Sequence, residues 1–220
     1  MRLKTSLLVL FVLAVPAAAD TLAPQSIDSL FAVADFVGIV RIDAGIFEMG
    51  KGAVYKASIL QVLKGDSVDC LFIGPWRGEA IGSDYLVFLA ESKESVAEHW
   101  SKDIHHDGPR PTYLSRLINQ FSGRGDSASA KPPPTQELPS TFTHNAKFYA
   151  VIFEGFGSIP IEYTVQLHAE AAKIACSHVI LPDFINRKPI SDVDSRLWEL
   201  NWVDLDQLIN YLGHNKATTK

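Results

Sequence analysis

Residues 34–90 read ADFVGIVRIDAGIFEMGKGAVYKASILQVLKGDSVDCLFIGPWRGEAIGSDYLVFLA, and this stretch decides the predicted fold. It contains four runs rich in β-branched and aromatic residues, separated by turns that carry glycine. The runs predict strands at 37–42, 53–63, 68–73 and 85–89. Four strands in such quick succession predict a mainly β domain that begins a small barrel or sandwich.

Amphipathic patterns on both sides of this stretch predict peripheral helices. The first lies within residues 24–36, where Ser26 is a plausible N-cap. The second lies near 204–213, where Asp204 can cap the start and Gly213 can end the helix. The apolar stripe of the first helix consists of Ile27, Leu30, Phe31 and Ala34, at the spacing of one helical face.

The chain after Ala90 changes character. Residues 91–146 are polar at first, then show a helical pattern from Pro111 and a Ser-, Gly- and Pro-rich segment over 123–141. We interpret 91–146 as an insertion between barrel strands. The sheet resumes at 148–153, followed by an alternating strand over 159–168. Residues 20–220 are therefore expected to form a single domain.

The amino terminus has the features of an export signal. Arg2 and Lys4 precede the apolar run 7–15, and an A-x-A cleavage site ends at Ala19. We expect residues 1–19 to be a signal peptide and the mature chain to begin at Asp20 in the periplasm or outside the cell. No later run approaches the roughly 20 apolar residues that a membrane-spanning helix needs.

The charge balance argues against nucleic-acid binding. The chain carries 20 Lys and Arg against 25 Asp and Glu, a net charge of −5, and loss of the signal peptide would make it more acidic. Affinity for a phosphate backbone comes largely from Lys and Arg. We therefore expect a protein or a small ligand as partner.

Three segments resemble the bacterial relatives of the netrin-like and tissue-inhibitor-of-metalloproteinases family. They read ADFVGIV at 34–40, YKASILQVLKGD at 55–66 and GSDYLVFL at 82–89. The resemblance implies an OB-like five-stranded barrel. Inhibitors of this family chelate the protease zinc through an N-terminal cysteine, whereas the predicted mature start is DTLAP from Asp20. That inhibitory mechanism is therefore not expected here.

Two cysteines, Cys70 and Cys176, accompany the export signal. An even number of cysteines in an oxidising compartment favours a disulfide, and we expect a bridge between the two. The alternative is two separately buried thiols, which behave as small apolar side chains.

Two further clusters raise the question of catalysis. His99, His105 and His106 could serve a metal-dependent hydrolase, but their spacing matches no known zinc-binding pattern, and a solvated loop is the simpler interpretation. Cys176 is followed by Ser177 and His178, with no identifiable orienting acid or oxyanion hole. We expect no catalytic residues, no metal site and no cofactor.

The best binding candidates surround the predicted barrel end. OB-type barrels bind through the loop between strands one and two and through the face of strands two and three. An exposed Trp or Arg is a typical interface anchor; alternatively, Trp76 plugs the end of the barrel. The candidate binding residues are Phe47, Met49, Lys51, Trp76 and Arg77.

The sequence thus predicts an exported, non-enzymatic binding or interaction module of the cell envelope. The alternatives are a metal-dependent hydrolase that uses the histidine segment, or a protease inhibitor that does not rely on an N-terminal cysteine.

Overall fold

The computed structural model describes residues 23–48, 52–76, 80–101, 138–142, 147–190 and 199–218. These residues are mainly β, with three α-helices and a short 3₁₀ helix at Phe153–Gly155. The helices are α1 (Ile27–Val33), α2 (Val96–Ser101) and α3 (Leu205–Thr218). The strands are β1 (Gln25–Ser26), β2 (Phe36–Glu48), β3 (Gly52–Lys64), β4 (Cys70–Trp76), β5 (Asp84–Ser95), β6 (Lys147–Val151), β7 (Ser158–Thr164), β8 (Ala169–Ala175), β9 (Val179–Ile180), β10 (Arg187–Pro189) and β11 (Leu200–Asp204).

Five strands close into a barrel in the order β5-β2-β3-β4-β6, with β6 pairing back onto β5. Four of the five pairings are antiparallel, and the pairing of β4 with β6 is parallel. This arrangement confirms the predicted OB-like five-stranded barrel. Its interior is apolar and includes Phe36, Val40, Ile42, Tyr55, Ala57, Leu71, Ile73, Tyr85, Val87, Leu89 and Tyr149.

The sheet also continues beyond the barrel. The first half of β5 pairs with β7, and β8, β11 and β10 follow in that order. The second half of β5 pairs instead with β6 and closes the barrel. One long strand therefore belongs both to the barrel and to an open four-stranded extension.

Helices α1 and α3 pack against the outer surface of the barrel and one face of the extension, and we call this cluster the α1/α3 core. Both helices begin as the sequence predicts. The Ser29 amide donates to Ser26 Oγ at 3.0 Å, and the Gln207 amide donates to Asp204 Oδ1 at 3.0 Å. The buried side chains of this core include Leu30, Phe31, Val37, Leu86, Phe88, Ile159, Ile174, Val203, Leu208 and Leu212.

A second outer cluster, which we call the α2 core, lies on the other side of the barrel. Val54 of β3 and Phe72 of β4 point outward there and are completely buried. They are covered by α2 and by the turn that carries Phe142, whose ring centroid lies 5.5 Å from that of Phe72. Segments between β5 and β6 therefore form part of the fold.

Three predicted boundaries were wrong. Gly213 does not end α3, which continues to Thr218, since one glycine costs an exposed helix only about 1 kcal/mol. The predicted strand 159–168 is interrupted by a turn after Thr164, where His168 adopts a positive φ of 52°. The strand predicted at 85–89 ends too early, because β5 runs to Ser95 and α2 follows it directly.

The expected disulfide was also wrong, because Cys70 and Cys176 are both free thiols. Cys70 packs against the α2 core, whereas Cys176 follows β8 and packs against the α1/α3 core. Four strands separate β4 from β8 in the sheet order. The two thiols therefore belong to different layers of the molecule.

The predicted signal peptide, the helix from Pro111 and most of the segment 123–141 lie outside the residues that the structure describes. Within the described ranges, none of the helices combines the length and the apolar character needed to cross a bilayer.

Candidate functional site

The candidate site predicted from the sequence maps to the tip of the β2–β3 hairpin. The ladder between β2 and β5 ends at Arg41, whereas the ladder between β2 and β3 continues to the pair Glu48 and Gly52. The residues of β2 after Arg41 therefore project past the end of its pairing with β5. The hairpin tip is flanked on its other side by the end of β4.

Strand register brings two of the five predicted residues together at this tip. Phe47 is paired with Ala53 of β3, and Ala53 is paired in turn with Trp76 of β4. The backbones of Phe47 and Trp76 thus lie on either side of Ala53. Phe47 is 66% exposed, which is unusual for a phenylalanine. Met49, Lys51, Arg77 and the Trp76 side chain fall in the part of the chain that the structure leaves undescribed.

Close packing holds the base of the hairpin tip in place. Gly45 and Tyr55 are cross-strand partners, and the Tyr55 ring covers the glycine. A Cβ at Gly45 would lie 2.8 Å from that ring, so only glycine permits this contact. An aromatic ring over a strand glycine restores packing that the missing side chain would otherwise lack. The tip is therefore a supported extension of the sheet.

The face expected to bind ligands in an OB barrel is occupied by the protein itself. Val54 and Phe72 occupy the outer face of β3 and β4, and Trp100 of α2 and Phe142 cover them. Val54 and Phe72 are therefore not accessible to a ligand. Among the predicted site residues whose side chains are described, Phe47 at the hairpin tip is exposed.

The histidine segment does not begin as a solvated loop. His99 lies in α2 with 8% of its surface exposed, and its ring centroid is 4.8 Å from that of Phe148. It is part of the packing between α2 and β6. His105 and His106 lie in a range that the structure does not describe, and the described residues contain no group of three potential metal ligands.

The Cys176 segment forms the turn after β8. The Ser177 hydroxyl and His178 Nδ1 are hydrogen-bonded at 2.8 Å, and the His178 ring stacks on Phe156 with centroids 4.2 Å apart. Burial raises the pKa of the Cys176 thiol, against the lowering effect of nearby Arg187. A nucleophilic cysteine needs a lowered pKa. Burial therefore disfavours the thiolate form of Cys176.

A cavity that the sequence analysis missed lies on the sheet extension. It has a volume of about 270 Å³ and is bounded by β7, β8, the turn after the 3₁₀ helix and the start of β11. Ser158 Oγ at its wall is buried and has no hydrogen-bond partner among the described residues. In the sequence, the cavity could have been suspected only from the polar face of the predicted strand 159–168. That pattern is the same as the pattern of an ordinary strand with one face toward solvent.

Comparison with known proteins provides no relative from which the role of these surfaces could be inferred. No protein-family model matches the chain, and a search of the curated proteins finds no match.

Proposed function

We propose that this chain is an exported, non-enzymatic binding module of the cell envelope that engages a protein partner through the tip of the β2–β3 hairpin. The observation that carries the proposal is the exposed ring of Phe47, which shares a cross-strand row with Ala53 and the end of β4. The export signal in residues 1–19 supports the periplasm or the cell exterior as the compartment.

The hairpin tip has the properties of an interaction surface. Large aromatic side chains are usually buried, and protein interfaces are enriched in the aromatic residues Tyr, Trp and Phe. Phe47 is exposed, whereas Tyr55 packs over Gly45 and fixes the strands beneath it. A partner that covers the ring would gain apolar contact area on a residue whose backbone is already paired with β3.

The OB-like barrel supports a distant relationship with the bacterial netrin-like proteins, which we also propose. Within that relationship, the partner could be a protease, inhibited without an N-terminal cysteine. The predicted mature start, DTLAP, excludes chelation by a cysteine amine. The exposed hairpin tip offers an apolar surface for such a contact.

Site-specific photocrosslinking in the native envelope tests the proposed surface. A photoreactive phenylalanine replaces Phe47 in one variant and Leu60 in the control. Leu60 lies on the same hairpin, also exposed at 49%, but at the far end of β3. A discrete crosslinked product from position 47 and none from position 60 would support the proposal. Equal labelling at both positions, or none at either, would contradict it.

A control must show that the substitution at position 47 leaves the fold unchanged. The variant with the photoreactive residue at position 47 should unfold at the same temperature as the unmodified protein. Competition with excess purified wild-type protein should remove the crosslink from position 47, whereas excess Phe47→Ala protein should not. Equal competition by both proteins would show that Phe47 does not contribute to binding.

A further inference from the structure

The cavity on the sheet extension is separate from the hairpin tip and has its own chemistry. Side chains alternate between the two faces of a strand. Ile159 of β7 and Ile174 of β8 point into the α1/α3 core. Their neighbours Ser158 and Lys173 therefore point to the opposite face, and all four residues line the cavity.

A polar group in the wall of the cavity has incomplete hydrogen bonding. Ser158 Oγ is buried and has no hydrogen-bond partner among the described residues. Leaving a buried hydroxyl unsatisfied costs about 1–3 kcal/mol. A rotation about the serine χ1 exchanges staggered rotamers and can turn the hydroxyl toward the cavity. A ligand that accepts a hydrogen bond there would remove this cost.

A cation lies beside the same cavity. Lys173 Nζ is 5.9 Å from the centre of the Trp202 ring, which is its cross-strand neighbour on β11. Within the described ranges, Lys173 makes no salt bridge with a carboxylate. Lys173 also lines the cavity, so its side chain is a candidate partner for an anionic ligand.

The remaining walls limit the ligand. Phe156 and Leu200 supply apolar surface, and the volume of about 270 Å³ admits only a small molecule, since drug-sized sites span about 300–1,000 Å³. Glu162 also lines the cavity, and its carboxylate increasingly disfavours ligands of higher negative charge. An apolar body with a single negative charge fits these walls.

We propose that this cavity binds a small monocarboxylate with an apolar body. Its carboxylate accepts hydrogen bonds from Lys173 Nζ and from Ser158 Oγ. Its apolar part contacts Phe156 and Leu200. Inorganic phosphate is a poorer fit, because it carries up to two charges and leaves the apolar walls without a partner.

Titration of the isotopically labelled full chain with phenylacetate, followed by amide NMR, tests the proposal. We expect saturable shifts at Ala175, Val179 and Leu200. The neutral analogue 2-phenylethanol should bind about tenfold or more weakly, since a charge-assisted hydrogen bond is lost, and inorganic phosphate should cause no shifts at these amides. Absence of saturable shifts with phenylacetate, or equal binding of the neutral analogue, would overturn the proposal.

Variants at Lys173 test how its charge contributes to binding, apart from any effect on folding. Lys173→Met keeps the length of the side chain but removes its charge, and it should weaken phenylacetate binding about tenfold. Lys173→Arg keeps the charge and should retain most of the binding affinity. Ser158→Ala should weaken binding without lowering the unfolding midpoint. If Lys173→Met binds phenylacetate as tightly as Lys173→Arg does, the ammonium plays no part and the proposed site is wrong.

Discussion

Lys64 at the end of β3 donates a hydrogen bond of 2.7 Å from its ammonium group to the carbonyl oxygen of Phe31, in the last turn of α1. A second bond of 2.9 Å reaches the carbonyl oxygen of Ala32, and the ammonium lies 5.5 Å from the centre of the Phe31 ring. Carbonyls in the last turn of a helix have no partner within the helix and carry partial negative charge. Lys64 therefore fixes α1 on the barrel.

Replacement of Lys64 by Met should loosen this connection. The substitution keeps an apolar stem but removes both hydrogen bonds, and we expect the free energy of unfolding to fall by about 1–2 kcal/mol. Denaturant unfolding measures the change. Lys56→Met on the same strand is the control, since the Lys56 ammonium forms no salt bridge with a described residue, and it should change stability by less than about 0.5 kcal/mol. Equal losses in both variants would contradict this role of Lys64.

Gly65, the next residue, should tolerate no side chain. Its φ is +93°, and a Cβ there would lie 2.7 Å from the carbonyl oxygen of Asp35. Gly82 also has a positive φ, +88°, but a Cβ there would meet nothing within 4 Å. Gly82→Ala should therefore cost only the backbone strain, about 1–2 kcal/mol, while Gly65→Ala should cost clearly more. Thermal unfolding compares the two variants, and equal losses would show that the contact with Asp35 relaxes without cost.

These two residues also show why part of the fold is predictable from sequence. Local signals were enough for the barrel strands and for the caps Ser26 and Asp204, because each depends on residues close in the chain. The Lys-Gly pair at 64–65 was visible as a turn. Its contacts with Phe31 and Asp35 were not, since they join residues about 30 positions apart.

Longer-range features explain the predictions that were wrong or missing. The cysteine count favoured a bridge, but strand order places Cys70 and Cys176 in different layers. The cavity depends on the pairing of β7 with β8, and both Ser158 and Lys173 line it. The turn between those strands contains neither Gly nor Pro, so the alternating pattern gave no sign of it. Phe142 covers the outer barrel face from a distant part of the sequence, so no local pattern predicted this contact.

Two phenylalanines should respond to truncation in opposite ways. Phe47 is 66% exposed, so Phe47→Ala should change the free energy of unfolding by less than about 0.5 kcal/mol. Phe72 is completely buried in the α2 core, and Phe72→Ala should cost about 3–5 kcal/mol. Denaturant unfolding measures both changes. A large loss at Phe47 would mean that the ring supports the fold, and the hairpin tip would lose its main argument as a binding surface.

Cys176 should make stability depend on pH in the alkaline range. Burial raises the pKa of its thiol, so the folded protein holds the proton more tightly than the unfolded chain does. This contribution is fully present below the unfolded pKa of about 8.5 and is lost as the pH rises through the folded pKa. The stability difference between wild type and Cys176→Ala should therefore become smaller between about pH 7 and about pH 10.

The matching kinetic experiment uses the Cys70→Ala background, which leaves Cys176 as the single thiol. Alkylation requires the thiolate, so a raised pKa predicts slow modification of the folded protein near neutral pH and a steep increase at higher pH. In denaturant, the rate should rise to that of a free cysteine. Rapid alkylation of the folded protein at neutral pH would show an exposed and activated thiol, and would return Cys176 and its neighbour His178 to consideration as a reactive pair.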